Sequence, residues 1–257
     1  MNLTDTHAHL YWDSFQEDFD EVIKRALTAG VTTIINVGVD VEKSKIAAGL
    51  KSDKIKFFST IGIHPHESDV WIHEDIEKLG EIYQSNSSHI VAIGECGLDY
   101  KEADEKTKKL QRRLFQAQID LAKKLNLPLI VHCREAWDEV VEMTKDHFGI
   151  YHCYSGLPPT TSYILQSTNF LVSFAGNLTY PKNEYLREAA KVLPMDRIVL
   201  ETDCPFLPPQ SKRGKRNEPS FMLETAQVVA DIKGLSLTEV AKQTSRNVAS
   251  ICFPRSN

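Results

Sequence analysis

No two of the five cysteines stand in a Cys-x-x-Cys pair, and their odd number offers no disulfide framework. That excludes the small stapled scaffolds of secreted proteins and points to a reducing compartment. Long apolar runs are missing as well. None approaches the ~20 residues of a membrane-spanning helix, and Met1-Asn2-Leu3-Thr4-Asp5 is no secretory signal. A cytoplasmic chain without a membrane role is therefore expected. Positive charge is not in excess either: the net charge of −5 excludes a basic coat but leaves room for a local phosphate-binding patch. Linkers of disordered composition are absent. With 42% hydrophobic residues, 257 residues can bury one large core, so 1–257 reads as one domain.

What the chain does have is alternation. Strands are expected at Leu3–His9, Val31–Val37, Ile55–Ile63, His89–Glu95, Leu129–His132, Gly149–His152, Phe170–Ala175 and Arg197–Asp203. Between them lie helical stretches. Phe15 to Ala29 carries an apolar stripe closed by Gly30, and Asp104 to Asn126 is long, charged and apolar along one face. Helices near Phe221 to Lys233 and Leu237 to Ser250 finish the chain. Eight strands alternating with helices imply a parallel sheet, and the unbroken repeat favours a closed (β/α)8 TIM barrel over an open doubly wound sheet.

Chemistry-bearing residues stand where these runs end. His7 and His9 are spaced i, i+2 on a strand, so both rings share one face and make a two-nitrogen seat for a divalent metal. His64 and His66, Glu95, His132, His152 and Asp203 follow the later apolar runs. In a barrel these strand ends meet at one rim, where active sites of this fold lie.

The stretches TDTHAHL, IGIHPH, AIGECGLDY, IVHCRE, YHCYSG, ETDCPFL and GKRNEP resemble, in order, the motifs of the TatD family of metal-dependent nucleases. The resemblance implies a TIM barrel of the metal-dependent hydrolase type with two divalent ions, Mg, Mn or Zn. It implies His7, His9 and Asp203 as ligands of one ion, His132 and His152 as ligands of the other, and Glu95 as the bridge. Two bridged ions can acidify a water and clamp the attacking and leaving oxygens. Asp203 is then both ligand and candidate general base. The implied reaction is hydrolysis of phosphodiester bonds in DNA, from a 3′ end.

Other residues admit more than one role. Cys96, Cys133, Cys153 and Cys204 each follow a proposed ligand, so by strand parity they point toward the helices and pack there rather than bind zinc. Glu201 lies one layer below Asp203, either as a partner for a ligand or as half of a structural ion pair. His64, His66 and Arg134 are expected at the mouth, holding a phosphate or, for His64, protonating the leaving group. Arg213 and Arg216, in the basic stretch Lys212 to Asn217, are further candidates for phosphate oxygens. Two other functions fit the same residues: an amidohydrolase or aminoacyl-tRNA deacylase, and a non-catalytic nucleic-acid-binding barrel.

Overall fold

The computed structural model describes residues 1–253; the last four residues of the 1–257 unit lie outside them. The strands are β1 (Leu3–Ala8), β2 (Val31–Val37), β3 (Lys56–Ile61), β4 (Ile90–Asp99), β5 (Leu129–Arg134), β6 (Gly149–Tyr151), β7 (Leu171–Phe174) and β8 (Ile198–Leu200). Each pairs in parallel with the next, in the order β1 to β8. Closure between β8 and β1 comes from the loop after β8: Asp203 N–H donates to His7 O (2.8 Å), His9 N–H donates to Cys204 O (2.9 Å), and Ala8 bridges Cys204. The fold is the expected (β/α)8 barrel.

Helices α1 (Phe19–Thr28), α2 (Val41–Gly49), α3 (His73–Asn86), α4 (Glu105–Leu125), α5 (Trp137–Thr144), α6 (Pro158–Ser167) and α7 (Glu184–Val192) link successive strands, and α8 (Met222–Lys233) and α9 (Leu237–Cys252) follow β8. Helix α4 shows how the sequence sets its own ends. Asp104 caps the first turn by accepting from Thr107 N–H (2.8 Å), and Asn126 ends the last one in the left-handed conformation. Its buried face includes Leu114, Phe115, Ile119 and Ala122, but also two glutamines. Gln118 pairs both ways with the Ile63 peptide (2.8 and 2.8 Å), and Gln111 with that of Asp99 (2.9 and 2.9 Å). Buried amides satisfied this way fix the main chain next to His64 and at Asp99.

Two boundaries differ from expectation in ways that matter. Strand β4 runs on past Glu95 to Asp99, so it carries a second carboxylate toward the rim. Strand β8 stops at Leu200, and Asp203 lies beyond it in the left-handed region (φ 59°). The expected strand to Asp203 fails there because the chain turns to make the closing bonds with β1.

The core divides by strand parity. Ile130, Ile150 and Val199, two residues before His132, His152 and Glu201, belong to one buried cluster with Ile35 and Val37. Cys96, Cys133 and Cys204, each next to a proposed ligand, join the larger cluster packed with the helices. Gly97 in β4 has φ 134°, and a Cβ there would collide with the His132 carbonyl oxygen, so glycine lets β4 and β5 meet at the site.

Candidate metal centre

The rim brings together all six residues proposed as ligands, and adds His64. His7 Nε2 lies 3.2 Å from His9 Nε2, 3.3 Å from Glu95 Oε2 and 3.6 Å from Asp203 Oδ1, which is also 3.6 Å from His9 Nε2. A second set faces the other carboxylate oxygen. Glu95 Oε1 is 2.9 Å from His152 Nε2, 3.1 Å from His132 Nδ1 and 3.5 Å from His64 Nε2. His152 Nε2 and His132 Nδ1 are 3.4 Å apart. Glu95 thus splits its oxygens between two groups of nitrogens.

These spacings fit a cation. Two ligand atoms each about 2.1 Å from one ion stand roughly 3.0–3.4 Å apart for octahedral to tetrahedral angles. Paired imidazole nitrogens at that separation, flanked by carboxylate oxygens, form a donor set suited to a divalent transition metal or Zn. Every group of three or more candidate donors with atoms within 4.8 Å, among the described residues, consists of His, Glu and Asp, with no cysteine. His64, expected at the mouth, does line the opening above the centre, and its nitrogen also joins Glu95 and His132 in one of these groups.

The rings are aimed by partners on their far sides. His9 Nδ1 donates to the Val37 carbonyl (2.9 Å), His132 Nε2 to Asp99 Oδ2 (3.1 Å) and His152 Nδ1 to Glu201 Oε1 (3.3 Å). Each bond fixes a tautomer that leaves the other nitrogen's lone pair facing the centre. Glu201 therefore partners His152, one of the proposed ligands, and its Oε1 also accepts from Cys153 N–H (2.6 Å). Asp5 was missed. Its carboxylate accepts from Thr202 N–H (2.9 Å), Thr202 hydroxyl (2.6 Å) and His7 N–H (3.3 Å), tying β1 to the segment that presents Asp203. Asp99 was missed too. Both stood in the quoted motifs, as TDTHAHL and GLDY, but only their distant partners reveal their work.

Electrostatics follows from burial and this crowding. Burial lowers His64 to about 3 and lowers His7, so those imidazoles are neutral at neutral pH. For Glu95, burial pulls upward, but the positive charge favoured at His152 and the hydrogen bond from His132 help to outweigh it and hold the carboxyl well below its usual range. Asp203 is lowered in the same way: His9, His7 and His152 overcome burial. His132 and His152 move the other way. Burial opposes their protonation, yet Asp99 and Glu95 raise the first, and Glu95 and Glu201 the second. The carboxylates of the centre favour positive charge there, whether proton or metal cation.

The centre opens into a cavity of about 720 Å³ whose walls include His66, Arg134, Trp12 and Phe206. Arg134 makes no side-chain hydrogen bond or ion pair among the described residues, while His66 Nε2 meets Asp99 Oδ2 at 3.2 Å. Arg213 and Arg216 are not among the residues that line it. Arg216 is committed elsewhere: it forks onto both Asp18 oxygens (2.9 and 2.8 Å), donates to Ser14 O and stacks on Phe15. Arg213 lies over the Tyr180 ring, 4.8 Å from its centroid. Cys153 also departs from expectation. Its left-handed backbone (φ 43°) breaks the strand parity, and it lines the cavity, its sulfur accepting from Asn177 Nδ2 (3.6 Å).

Comparison with known proteins agrees with this geometry. Residues 4–252 match the family described as TatD related DNase. The chain is 38% identical over 250 residues to the uncharacterized metal-dependent hydrolase YabD of Bacillus subtilis, covering 95% of this chain and 96% of that one. It is 34% identical over 257 residues to the 3′-5′ ssDNA/RNA exonuclease TatD of Erwinia tasmaniensis, covering 96% and 95%. The crystal structure of YJJV, a TatD homologue from Escherichia coli, superposes with a TM-score of 0.91 at 25% identity, covering 98% of both chains. An eight-stranded barrel with histidines and carboxylates gathered at one rim, matched along nearly its whole length, makes this chain a metal-dependent hydrolase of the TatD family.

Proposed function

We propose that the protein hydrolyses phosphodiester bonds in nucleic acid, removing nucleotides from the 3′ end of DNA. The observation that carries this reading is the division of Glu95 between two donor groups at the floor of a cavity with an uncommitted arginine in its wall. The exonuclease name borne by the Erwinia tasmaniensis relative supports the choice of substrate. His7, His9 and Asp203 would hold one divalent ion and His132 and His152 a second, with Glu95 between them and His64 beside it. Ions in those seats supply a water acidified toward neutral pH and positive charge for the transition state.

The chain's own groups do the rest. Asp203, kept anionic by its histidines, accepts the proton of the attacking water. His66 and Arg134 hold the phosphate from the cavity wall, where a guanidinium can fork onto two oxygens. His64, neutral by burial, orients the leaving oxygen's side of the centre. Arg216 has no place in this grip, because Asp18 already occupies its donors.

The test is an assay of 3′-labelled and 5′-labelled single-stranded DNA with Mg, Mn and Zn, beside RNA, an aminoacyl ester of tRNA and small amides. Stepwise loss from the 3′ end that requires metal is expected. Turnover of an amide or an aminoacyl ester with no nucleic acid cleaved would overturn the reading.

A further inference from the structure

Two large aromatic rings stand exposed in a cavity otherwise rich in ionisable groups. Trp12, just past β1, is 36% exposed, and Phe206, in the loop after β8, is 46% exposed. Both line the cavity on the side of His9. The three rings meet edge to face: Trp12 to Phe206 at 5.6 Å between centroids, His9 to Trp12 at 6.1 Å and His9 to Phe206 at 6.2 Å. Rings left in water on a rim that could bury them forgo hydrophobic stabilisation, and such patches mark binding surfaces.

Their backbones are not loose. Trp12 N–H donates to His9 O (3.2 Å), and Trp12 O accepts from Phe15 N–H (2.9 Å). Phe206 N–H donates to Asp203 O (2.8 Å), and Phe206 O accepts from the buried amide of Asn217 (2.6 Å), which also holds Thr202 O (2.8 Å). Each aromatic is thus bonded to the main chain of a proposed ligand, so its ring is registered to the centre. A preorganised aromatic surface loses little entropy on binding a flat ligand.

We infer that Trp12 and Phe206 form a stacking wall for the nucleobase attached to the scissile phosphate, and so select an unpaired terminal nucleotide. This rests on the nucleic-acid reading of the centre. The wall follows β1 and β8, whereas His66, after β3, and Arg134, at the end of β5, line the cavity from strands farther round the barrel and offer a polar side suited to phosphate. A nucleotide has the same two ends, a flat apolar base and an anion. Base-aromatic stacking tolerates any sequence because every base has a π-face. A base inside a duplex is already stacked and paired, and must leave both to reach the wall.

The test compares two oligonucleotides, one ending in an ordinary 3′ nucleotide and one in a tetrahydrofuran residue that lacks the base. Binding to the metal-loaded protein is read by anisotropy, with a phosphorothioate at the terminal linkage to slow turnover, and KM and kcat are read on the ordinary diester. The wild-type protein is expected to bind the base-less end about 5- to 150-fold more weakly, the range of a single stacked base. Trp12→Ala and Phe206→Ala should raise KM for the ordinary end within that range with kcat little changed, and should lose discrimination between the two ends. Trp12→Phe and Phe206→Tyr should restore it. Equal wild-type affinity for both ends, or alanine variants that weaken both ends equally, overturns the wall even if the protein proves to be a nuclease. Should no nucleic acid be cleaved under any metal, the nuclease reading fails, and the binding comparison still decides the wall.

Discussion

The two halves of the centre are held by different means. On the β1–β8 side, His7, His9 and Asp203 are placed by main chain: Asp203 N–H reaches His7 O, His9 N–H reaches Cys204 O, and Asp5 clamps Thr202. These are the bonds that close the barrel, so geometry there is inseparable from the fold. On the β3–β6 side, the His132 and His152 rings are aimed by buried carboxylates, Asp99 and Glu201. That half depends on side chains that can be changed without opening the sheet. Glu95 reaches both with its two oxygens, and His152 stacks on His7 across the divide, 4.0 Å between ring centroids.

The largest effect is expected where the halves share a residue. Glu95→Gln should lower metal content in both halves and cut turnover on the order of 10³-fold or more, since it removes charge stabilisation from the reacting centre. Elemental analysis beside a turnover assay checks this. Metal content equal to wild type would mean that Glu95 bridges nothing.

Asp203→Asn separates proton acceptance from ligation within the main-chain half. At saturating metal and matched occupancy, turnover should fall ~10²–10⁴-fold, because an amide keeps one coordinating oxygen but takes no proton from water. Near-wild-type turnover there would leave Asp203 as ligand only.

Asp99→Asn and Glu201→Gln address the side-chain half. Each should weaken one metal by about 10–100-fold, the usual cost of losing a ligand's far-side partner, while the second metal titrates unchanged. Calorimetric titration with Mn or Zn reads the two separately. Equal weakening of both metals would erase the contrast between the halves.

The smallest effect belongs to a cation outside the centre. Arg216→Ala should leave metal affinity and KM unchanged and cost ~1 kcal/mol or less of stability, as exposed ion pairs do. Its pH dependence has a definite sign. The hydrogen bond from Arg216 leads the interactions that hold the Asp18 carboxyl below its unfolded value of 3.8. The unfolded chain therefore takes up the proton first, and the pair's stabilisation is present above that value and fades as pH falls through the folded one. Denaturation curves of the two proteins should differ at pH 7 and converge in acid.

Much of this was legible along the chain because it depends on local periodicity. The two-residue repeat puts His7 and His9 on one face, and the recurrence of apolar runs ending in His, Glu or Asp marks the rim before any coordinate is known. Parity correctly sent Cys96 and Cys204 to the helix side, while Cys133 is buried in the same cluster but also lines the cavity. It failed at Cys153 and for the strand to Asp203, where the backbone turns left-handed and strand geometry no longer applies.

What the sequence alone determined was that six candidate donors stand at strand ends and, where strand geometry holds, which face each takes. What only the tertiary structure decided was who faces whom. Asp5 finds Thr202, Glu201 finds His152, Gln118 grips the peptide before His64, and Arg216 turns to Asp18, all across long stretches of chain. Charge in a sequence says that a group can bind an anion, but not whether a carboxylate already holds it. That depends on closure of the barrel, which brings the loop after β8 against β1 and spends Arg216 on Asp18.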